Sequence, residues 1–342
     1  MSEISTCGWD IGGAHVKAAG LNANGRVVYV NQYPAPLWRG PDVLDGVLAA
    51  ASSDAGLVGC RHALTMTGEL ADCFRDRLEG VTAIVDRFAA AFPDARVHVY
   101  AGRDGFVDLE EAAARAGSIA SANWLATTAW VATQYDNGVL VDIGSTTTDI
   151  VPFRGGVPAN TGATDFKRLG CKELLYTGIA RTPVMAVVRQ VPYRGDQRPV
   201  IPELFATMAD VYRLTGDLKP HHDLMDTPDG CGKGREDSAR RLARMLGLDL
   251  NAAPALEEWT ELARHIADAQ MRELDAALST IDTAQVLVGA GSGRFLLPEL
   301  ARRRGCELVD FDAHMEMDVI LRDKSSDCAT AVSVAQLARS LP

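Results

Sequence analysis

Asp10-Ile11-Gly12-Gly13-Ala14-His15-Val16-Lys17 and Asp142-Ile143-Gly144-Ser145-Thr146-Thr147-Thr148-Asp149 are two copies of one pattern, and they decide the fold. In each, an apolar run ends in Asp-Ile-Gly, a turn of small residues follows, and a polar side chain stands seven positions after the first Asp. Glycine lets a backbone approach a phosphate without a Cβ in the way. The carboxylate does not touch phosphate, because like charges repel. It holds Mg²⁺, usually through water, and the metal bridges to phosphate oxygens. One copy alone reads better as a plain β-hairpin with a surface Asp. Two copies in matching strand contexts point to two related lobes facing a shared cleft.

The repeat extends beyond the motif. Strands are expected at 4–11, 14–21 and 26–32, with Asn22-Ala23-Asn24-Gly25 as a tight turn, and again at 138–143, 147–153 and 156–160. A helix at 41–54, a strand at 62–66, a helix at 71–92, a strand at 97–101 and a helical stretch at 109–134 complete the first set, the layout of a ribonuclease-H-like lobe. The second lobe is interrupted by an insertion at about 165–245, able to cap the cleft, which includes a loop at 215–236 dense in Gly, Pro, His and Asp, with a flexible segment at 229–235. A long helix at 255–280, a strand at 284–288, the turn Gly289-Ala290-Gly291-Ser292-Gly293 into a helix, a strand at 306–311 and a helix at 326–340 follow. The reading is an α/β protein of two ribonuclease-H-like lobes around a central cleft, divided as 1–135 and 136–342, with the last helix packing back on the first lobe.

Bulk properties narrow the partners. The 342 residues are 47% hydrophobic and 23% charged, with a formal net charge of -11. No basic stripe is available for a nucleic-acid backbone. No apolar run is long enough to span a membrane, and no signal peptide is read, so the expected compartment is cytoplasmic. The seven cysteines are scattered, with no Cys-x-x-Cys, and read as reduced thiols.

Each candidate residue follows from chemistry. Asp10, Asp142 and Asp149 are carboxylates for metal. Gly12, Gly13, His15 and Lys17 in the first copy, and Gly144, Ser145, Thr146 and Thr147 in the second, offer donors to phosphate oxygens. Glu69, where a strand yields to a helix, is a candidate base or metal ligand, although the helix dipole alone accounts for an acidic residue there. Arg181 lies near the second strand trio and offers a guanidinium to an anion. Lys233, in Asp229-Gly230-Cys231-Gly232-Lys233-Gly234-Arg235, is a further phosphate candidate, although the spacing is not that of a Walker A loop. Gly289, Gly291 and Gly293 depart from the dinucleotide fingerprint and gain weight only from their place after the two hairpins.

The ordered triple of Asp10-Ile-Gly-Gly, Asp142-Ile-Gly-Ser-Thr-Thr-Thr-Asp149 and Gly289-Ala-Gly-Ser-Gly resembles the phosphate-1, phosphate-2 and adenosine segments of the acetate and sugar kinase, Hsp70 and actin superfamily. Val141 to Ile150, with Tyr176-Thr-Gly-Ile-Ala-Arg-Thr-Pro183, is similar to the hydantoinase/oxoprolinase branch. Within it, Trp9-Asp10-Ile-Gly-Gly-Ala-His15, Ala209-Asp-Val-Tyr-Arg-Leu-Thr-Gly216 and the Asp-Gly-Cys-Gly-Lys-Gly loop resemble the tetrahydromethanopterin-linked one-carbon pathway family of methylotrophs. That family is similar to the archaeal methanofuran-biosynthesis synthases. The resemblance implies a transferase that joins an aminomethylfuran-methyl diphosphate to the phenol of a glutamyltyramine or tyrosine-type acceptor and releases diphosphate. It implies Mg²⁺ as cofactor, small diphosphate and phenolic substrates as partners, Glu69 or Asp210 as the base, and Tyr212 or Trp9 as an aromatic wall. Two rivals stand beside it: an ATP-dependent kinase or amide-hydrolysing enzyme of the same fold, with ATP at the Gly289–Gly293 turn, and a non-catalytic sensor of a phosphorylated ligand.

Overall fold

The chain is described by a computed structural model over residues 4–53, 56–252, 255–281 and 286–341. Asp54, Ala284 and Gln285, which the sequence reading assigns to a helix and a strand, lie outside the described residues. Two compact units form. One gathers Met1–Leu140, Val151–Asn160 and Val309–Pro342; the other gathers Val141–Ile150 and Thr161–Leu308.

The first unit is built on a six-stranded sheet of β1 (Thr6–Ile11), β2 (His15–Leu21), β3 (Val27–Pro34), β4 (Arg61–Met66), β5 (Val97–Tyr100) and β6 (Phe106–Asp108), ordered β3-β2-β1-β4-β5-β6. β1 pairs antiparallel with β2 and parallel with β4, placing Asp10 opposite Lys17 on one side and Thr65 on the other. Every residue of β1 is buried, as expected of a central strand covered on both faces. Helix Ala329–Ala338 packs on β1, β2 and β4. Its Thr330 hydroxyl lies 3.0 Å from that of Thr127, and Gln336 Nε2 donates to Gly25 O at 2.9 Å.

The helices of this unit are shorter than the sequence periodicity predicts. Helix Arg77–Ala91 begins where Asp76 caps it, its carboxylate accepting from Glu79 N–H at 2.9 Å. The stretch 109–134 is broken. Ser121 takes a positive φ of 54°, and the regular helix restarts at Asn123 and runs to Ala132. The final helix is likewise split, into Arg322–Asp327 and Ala329–Ala338, at Cys328.

Trp9 and His62 form a polar pair inside this core. Trp9 Nε1–H donates to His62 Nδ1 at 2.9 Å, and Phe88 and Phe92 pack on both rings. Neither residue has any exposure, so Trp9 is core and not the aromatic wall of a pocket. Burial pushes the His62 imidazole down to about 4. An unfolded histidine titrates near 6.5, so between about 6.5 and 4 the unfolded chain binds a proton that the native state refuses. Stability therefore falls as pH falls through that window, by roughly 3 kcal/mol in full. The expected result is a lower urea midpoint at about pH 4.5 than at pH 7, with a shallower dependence in His62→Gln. Equal slopes in the two proteins would contradict it.

The second sheet contains β7 (Asn137–Ile143), β8 (Thr148–Arg154), β9 (Val157–Pro158), β10 (Leu174–Leu175), β13 (Val286–Ala290) and β14 (Glu307–Asp310), ordered β10-β8-β7-β13-β14 with β9 also on β8. The third strand expected at 156–160 is only two residues long, and β10 takes the part of the β8 edge beside Thr148 and Asp149. The insertion carries an unforeseen hairpin of β11 (Gln190–Tyr193) and β12 (Asp196–Pro199), turned at Arg194 and Gly195, both with positive φ. Helices Met208–Thr215, Arg235–Met245 and Leu256–Leu278 pack together in the second unit. Among the described residues no helix is long and apolar enough to cross a membrane.

Candidate active site

The two copies of the motif fold into the same turn. Gly12 N–H donates to His15 O at 2.9 Å, and Gly144 N–H donates to Thr147 O at 2.9 Å. Behind each turn a second segment takes up carbonyls. In the first unit, Leu37 N–H donates to Gly13 O at 3.0 Å and Ala35 N–H to Ala14 O at 2.8 Å. In the second unit, Ile179 N–H donates to Gly144 O at 3.1 Å, and the N–H groups of Ala180 and Arg181 donate to Ser145 O at 3.1 and 2.8 Å.

This backing fixes where the turn donors point. The peptides are trans among the described residues, so each C=O and the following N–H point opposite ways. With the carbonyls of Gly144 and Ser145 held from behind, the N–H groups of Ser145 and Thr146 face the other side. Neither N–H meets an acceptor among the described residues. Two successive backbone donors on one side form a nest for an oxyanion. In the first turn Gly13 O is held in the same way, which sends the Ala14 N–H outward.

Three sequence motifs converge in the second unit. A Cβ on Gly178 would lie 2.5 Å from Thr146 N and 2.6 Å from Gly144 O, so the Tyr176–Pro183 segment packs directly on the turn. A Cβ on Gly291 would lie 2.3 Å from both Asp142 Oδ1 and Ile143 O, and Gly291 has a φ of +84°. Gly293 N–H donates to Ile143 O at 2.8 Å, and Arg294 Nη1 donates to Gly291 O at 2.6 Å. The Asp142 carboxylate therefore lies against the Gly291 corner. Gly289 packs closely against helix Leu297–Arg304: its Cβ position is 2.4 Å from the Leu297 side chain.

In the first unit, Asp10 is 7% exposed at the end of β1. Lys17 Nζ donates to Asp327 O at 2.7 Å, at the end of helix Arg322–Asp327. Burial pushes the Cys328 thiol up to about 12, with Lys17 working against it and Asp327 and Asp10 adding to it, so these charges gather around one buried thiol. Glu69 is buried, and its Oε1 accepts from the Ser121 hydroxyl at 2.9 Å. His15 is buried and closes its turn through its carbonyl.

Four expectations are corrected. Asp149 is engaged by the buried guanidinium of Arg168, Nη2 to Oδ1 at 2.7 Å, and is an ion-pair partner in place of a metal carboxylate. Burial raises its carboxyl pKa while Arg168 opposes that shift. Asp210 has no exposure. Its Oδ1 accepts from Arg213 and Arg241, both at 2.8 Å, and its Oδ2 from Thr207 N–H at 3.0 Å, which commits both oxygens to structural partners and makes it an ion-pair carboxylate in place of a base. Tyr212 is 1% exposed and bonds Gln270, so it is no wall of a pocket. The glycine-rich loop is pinned, not flexible: Lys233 Nζ donates to Asp223 O at 2.6 Å, Asp229 pairs with Arg241 at 2.8 Å, and Arg241 Nη2 donates to Gly232 O at 2.8 Å. Arg181 meets the turn through its backbone, and its side chain is exposed.

The sequence reading missed the backing segment at 35–37, the Asp327 carbonyl on Lys17, and Gln270. Gln270 carried a signal: with Ile266 and Leu274 four residues either side, it is the polar member of a buried helical stripe.

Two sheets that each carry an Asp-Ile-Gly hairpin define the fold of sugar kinases, Hsp70 and actin. A ROK family glucokinase from Streptomyces griseus, solved with glucose and AMPPNP, aligns with a TM-score of 0.50 over 98% of this chain and 99% of its own, at 14% identity. A nucleotide-free acetone carboxylase aligns with a TM-score of 0.56 over 98% of this chain and 70% of its own, at 10% identity. The profile of the hydantoinase/oxoprolinase family matches residues 61–321, and the chain belongs to that family. A relative from Methanocaldococcus jannaschii named (4-{4-[2-(gamma-L-glutamylamino)ethyl]phenoxymethyl}furan-2-yl)methanamine synthase is 34% identical over 248 residues, 72% of this chain and 73% of its own length. A protein of the same name from Methanococcus vannielii is 36% identical over 121 residues, 35% of this chain and 54% of its own.

Proposed function

We propose that this chain is a transferase of methanofuran-type cofactor biosynthesis, which joins a furan-bearing methyl diphosphate to the phenol oxygen of a tyramine- or tyrosine-type acceptor and releases diphosphate. The observation that carries the reading is the Ser145–Thr146 nest beside Asp142, taken with the name of the relative that covers 72% of this chain. That name describes a phenoxymethyl-furan, an ether between a phenol oxygen and a furan-bound CH₂.

The chemistry suits such a turn. The C–O bond to diphosphate breaks with its electron pair leaving on the diphosphate, and the furan ring delocalises the positive charge left on the CH₂. The phenol oxygen then bonds to that carbon and gives up its proton. Backbone donors already aimed at the leaving oxygens stabilise the charge that develops there without reorganising. The Ser145 and Thr146 N–H groups do this in the second unit; their hydroxyls lie 3.5 Å apart and add donors. A hard carboxylate oxygen suits Mg²⁺: in the second unit Asp142, against the Gly291 corner, would hold it, and Asp10 is the corresponding carboxylate of the first unit. Bound there, Mg²⁺ would neutralise diphosphate charge. Glu69 is the carboxylate left to take the phenol proton once Asp210 is excluded.

The test is to incubate the purified protein and Mg²⁺ with an aminomethylfuran-methyl diphosphate and, in parallel, γ-glutamyltyramine, tyramine or tyrosine, following ether product by mass spectrometry and diphosphate by coupled assay. One ether per diphosphate released is expected. No ether with any acceptor, alongside turnover of ATP, would replace this reading by a kinase or amide-hydrolysing one.

A further inference from the structure

Gln270 stands in the middle of helix Leu256–Leu278 with no exposure, and its amide is fully used. Oε1 accepts from the Tyr212 hydroxyl, and Nε2 donates to Thr177 Oγ1 at 2.7 Å and to Gly178 O at 3.0 Å. A buried amide with three partners holds one orientation, because turning it strands all three groups away from water. Its partners lead straight to the anion turn. Thr177 O accepts from Thr148 Oγ1 at 2.7 Å, Gly178 N–H donates to Thr182 Oγ1 at 2.8 Å, and the next three residues donate to the carbonyls of Gly144 and Ser145. A Cβ at Gly178 would overlap the turn, so a shift of this segment moves the turn with it.

We propose that Gln270, oriented by Tyr212, is a positioning residue that fixes the direction of the Ser145 and Thr146 N–H donors on the leaving diphosphate. An aliphatic side chain would fill the same core stripe between Ile266 and Leu274 with no polar group to satisfy. What the amide adds is a rigid link from the helix to the backing segment, and through its carbonyl bonds to the peptide planes that carry the donors. The inference rests on the reading of the turn as the diphosphate site.

The experiment compares wild type, Gln270→Met, Tyr212→Phe, Gln270→Glu and Leu274→Ala, the last being a cavity on the same helix without polar change. Diphosphate affinity is measured by calorimetry with Mg²⁺, KM for each substrate by initial rates, and stability by thermal melt. Gln270→Met should weaken diphosphate binding about ten- to a hundredfold, and Tyr212→Phe about three- to tenfold. KM for the phenolic acceptor should stay within about twofold, while Leu274→Ala lowers the melting temperature and leaves diphosphate affinity alone. Gln270→Glu adds a pH readout. Its buried carboxyl, once protonated, can again donate toward Thr177 or Gly178, so its affinity relative to wild type should recover as pH falls. If wild type binds diphosphate and both Gln270→Met and Tyr212→Phe merely lower the melting temperature as Leu274→Ala does, the positioning role is overturned and the turn reading survives. If wild type binds no diphosphate, the turn reading falls and takes the positioning role with it.

Discussion

Gly291→Ala is expected to cost about two orders of magnitude in turnover, together with about 2–4 kcal/mol of stability. Two effects add. At φ +84° a side chain meets its own backbone, and the new Cβ would stand 2.3 Å from Ile143 O and from Asp142 Oδ1. Ile143 O cannot yield alone, because it accepts from Gly293 N–H at 2.8 Å. Asp142 is the carboxylate proposed to hold metal beside the turn, and the strain is released by moving the end of β7 that carries it. Misplacing a positioned group by about 1 Å is enough for a hundredfold loss. Gly46→Ala, in the interior of helix Asp42–Ser53 with nothing within 4 Å of the new methyl, is the control and should leave turnover unchanged. Turnover by Gly291→Ala within about threefold of wild type would mean that Asp142 tolerates displacement, and the metal role given to it would fail.

The parts of this site that were legible are those in which side-chain type follows from backbone geometry. Asp-Ile-Gly at a strand end marks both turns because glycine and a terminal carboxylate are local demands, and Gly289-Ala-Gly-Ser-Gly marks the corner that meets Asp142 for the same reason. The backing of the turns left no trace, since Ala35, Leu37 and Ile179 to Arg181 contribute only N–H groups, which every residue but proline has. The β11–β12 hairpin was hidden by Pro192 and Pro199 in its strands and by an arginine where a hairpin turn with positive φ favours Asn or Gly. The loop from Asp229 to Arg235 read as flexible because it is rich in glycine. What holds it is a set of ion pairs to helices on either side of it, and composition cannot report a pairing between residues ten to thirty-one positions apart. Gln270 was the exception that could have been found, a polar residue at a position where the helical period calls for an apolar one.

That ion-pair set gives the second large effect: Asp210→Ala should destabilise the protein by about 3–5 kcal/mol, a fall in melting temperature on the order of 10 °C. Asp210 and Arg241 have no side-chain exposure and Arg213 has 7%, so solvent cannot replace the lost carboxylate. Asp223 still pairs with Arg213 and Asp229 with Arg241, which keeps the loss from being greater. The Thr207 capping box would go too, since Asp210 Oδ2 accepts from Thr207 N–H at the start of helix Met208–Thr215. Asp210→Asn keeps the shape and one acceptor while removing the charge, and belongs between the two. The same pair of variants separates a structural from a catalytic carboxylate. A saturated ion-pair carboxylate predicts a large loss of stability and, below the melting transition, turnover within about threefold of wild type for Asp210→Asn. A general base predicts the reverse, little change in melting and a loss of about 10²–10⁴ in turnover. Because Tyr212 lies in the same helical turn and bonds Gln270, a small drop in diphosphate affinity in Asp210→Ala would show that the ion-pair set also steadies the anion turn, whereas the catalytic pattern would return Asp210 to the reaction.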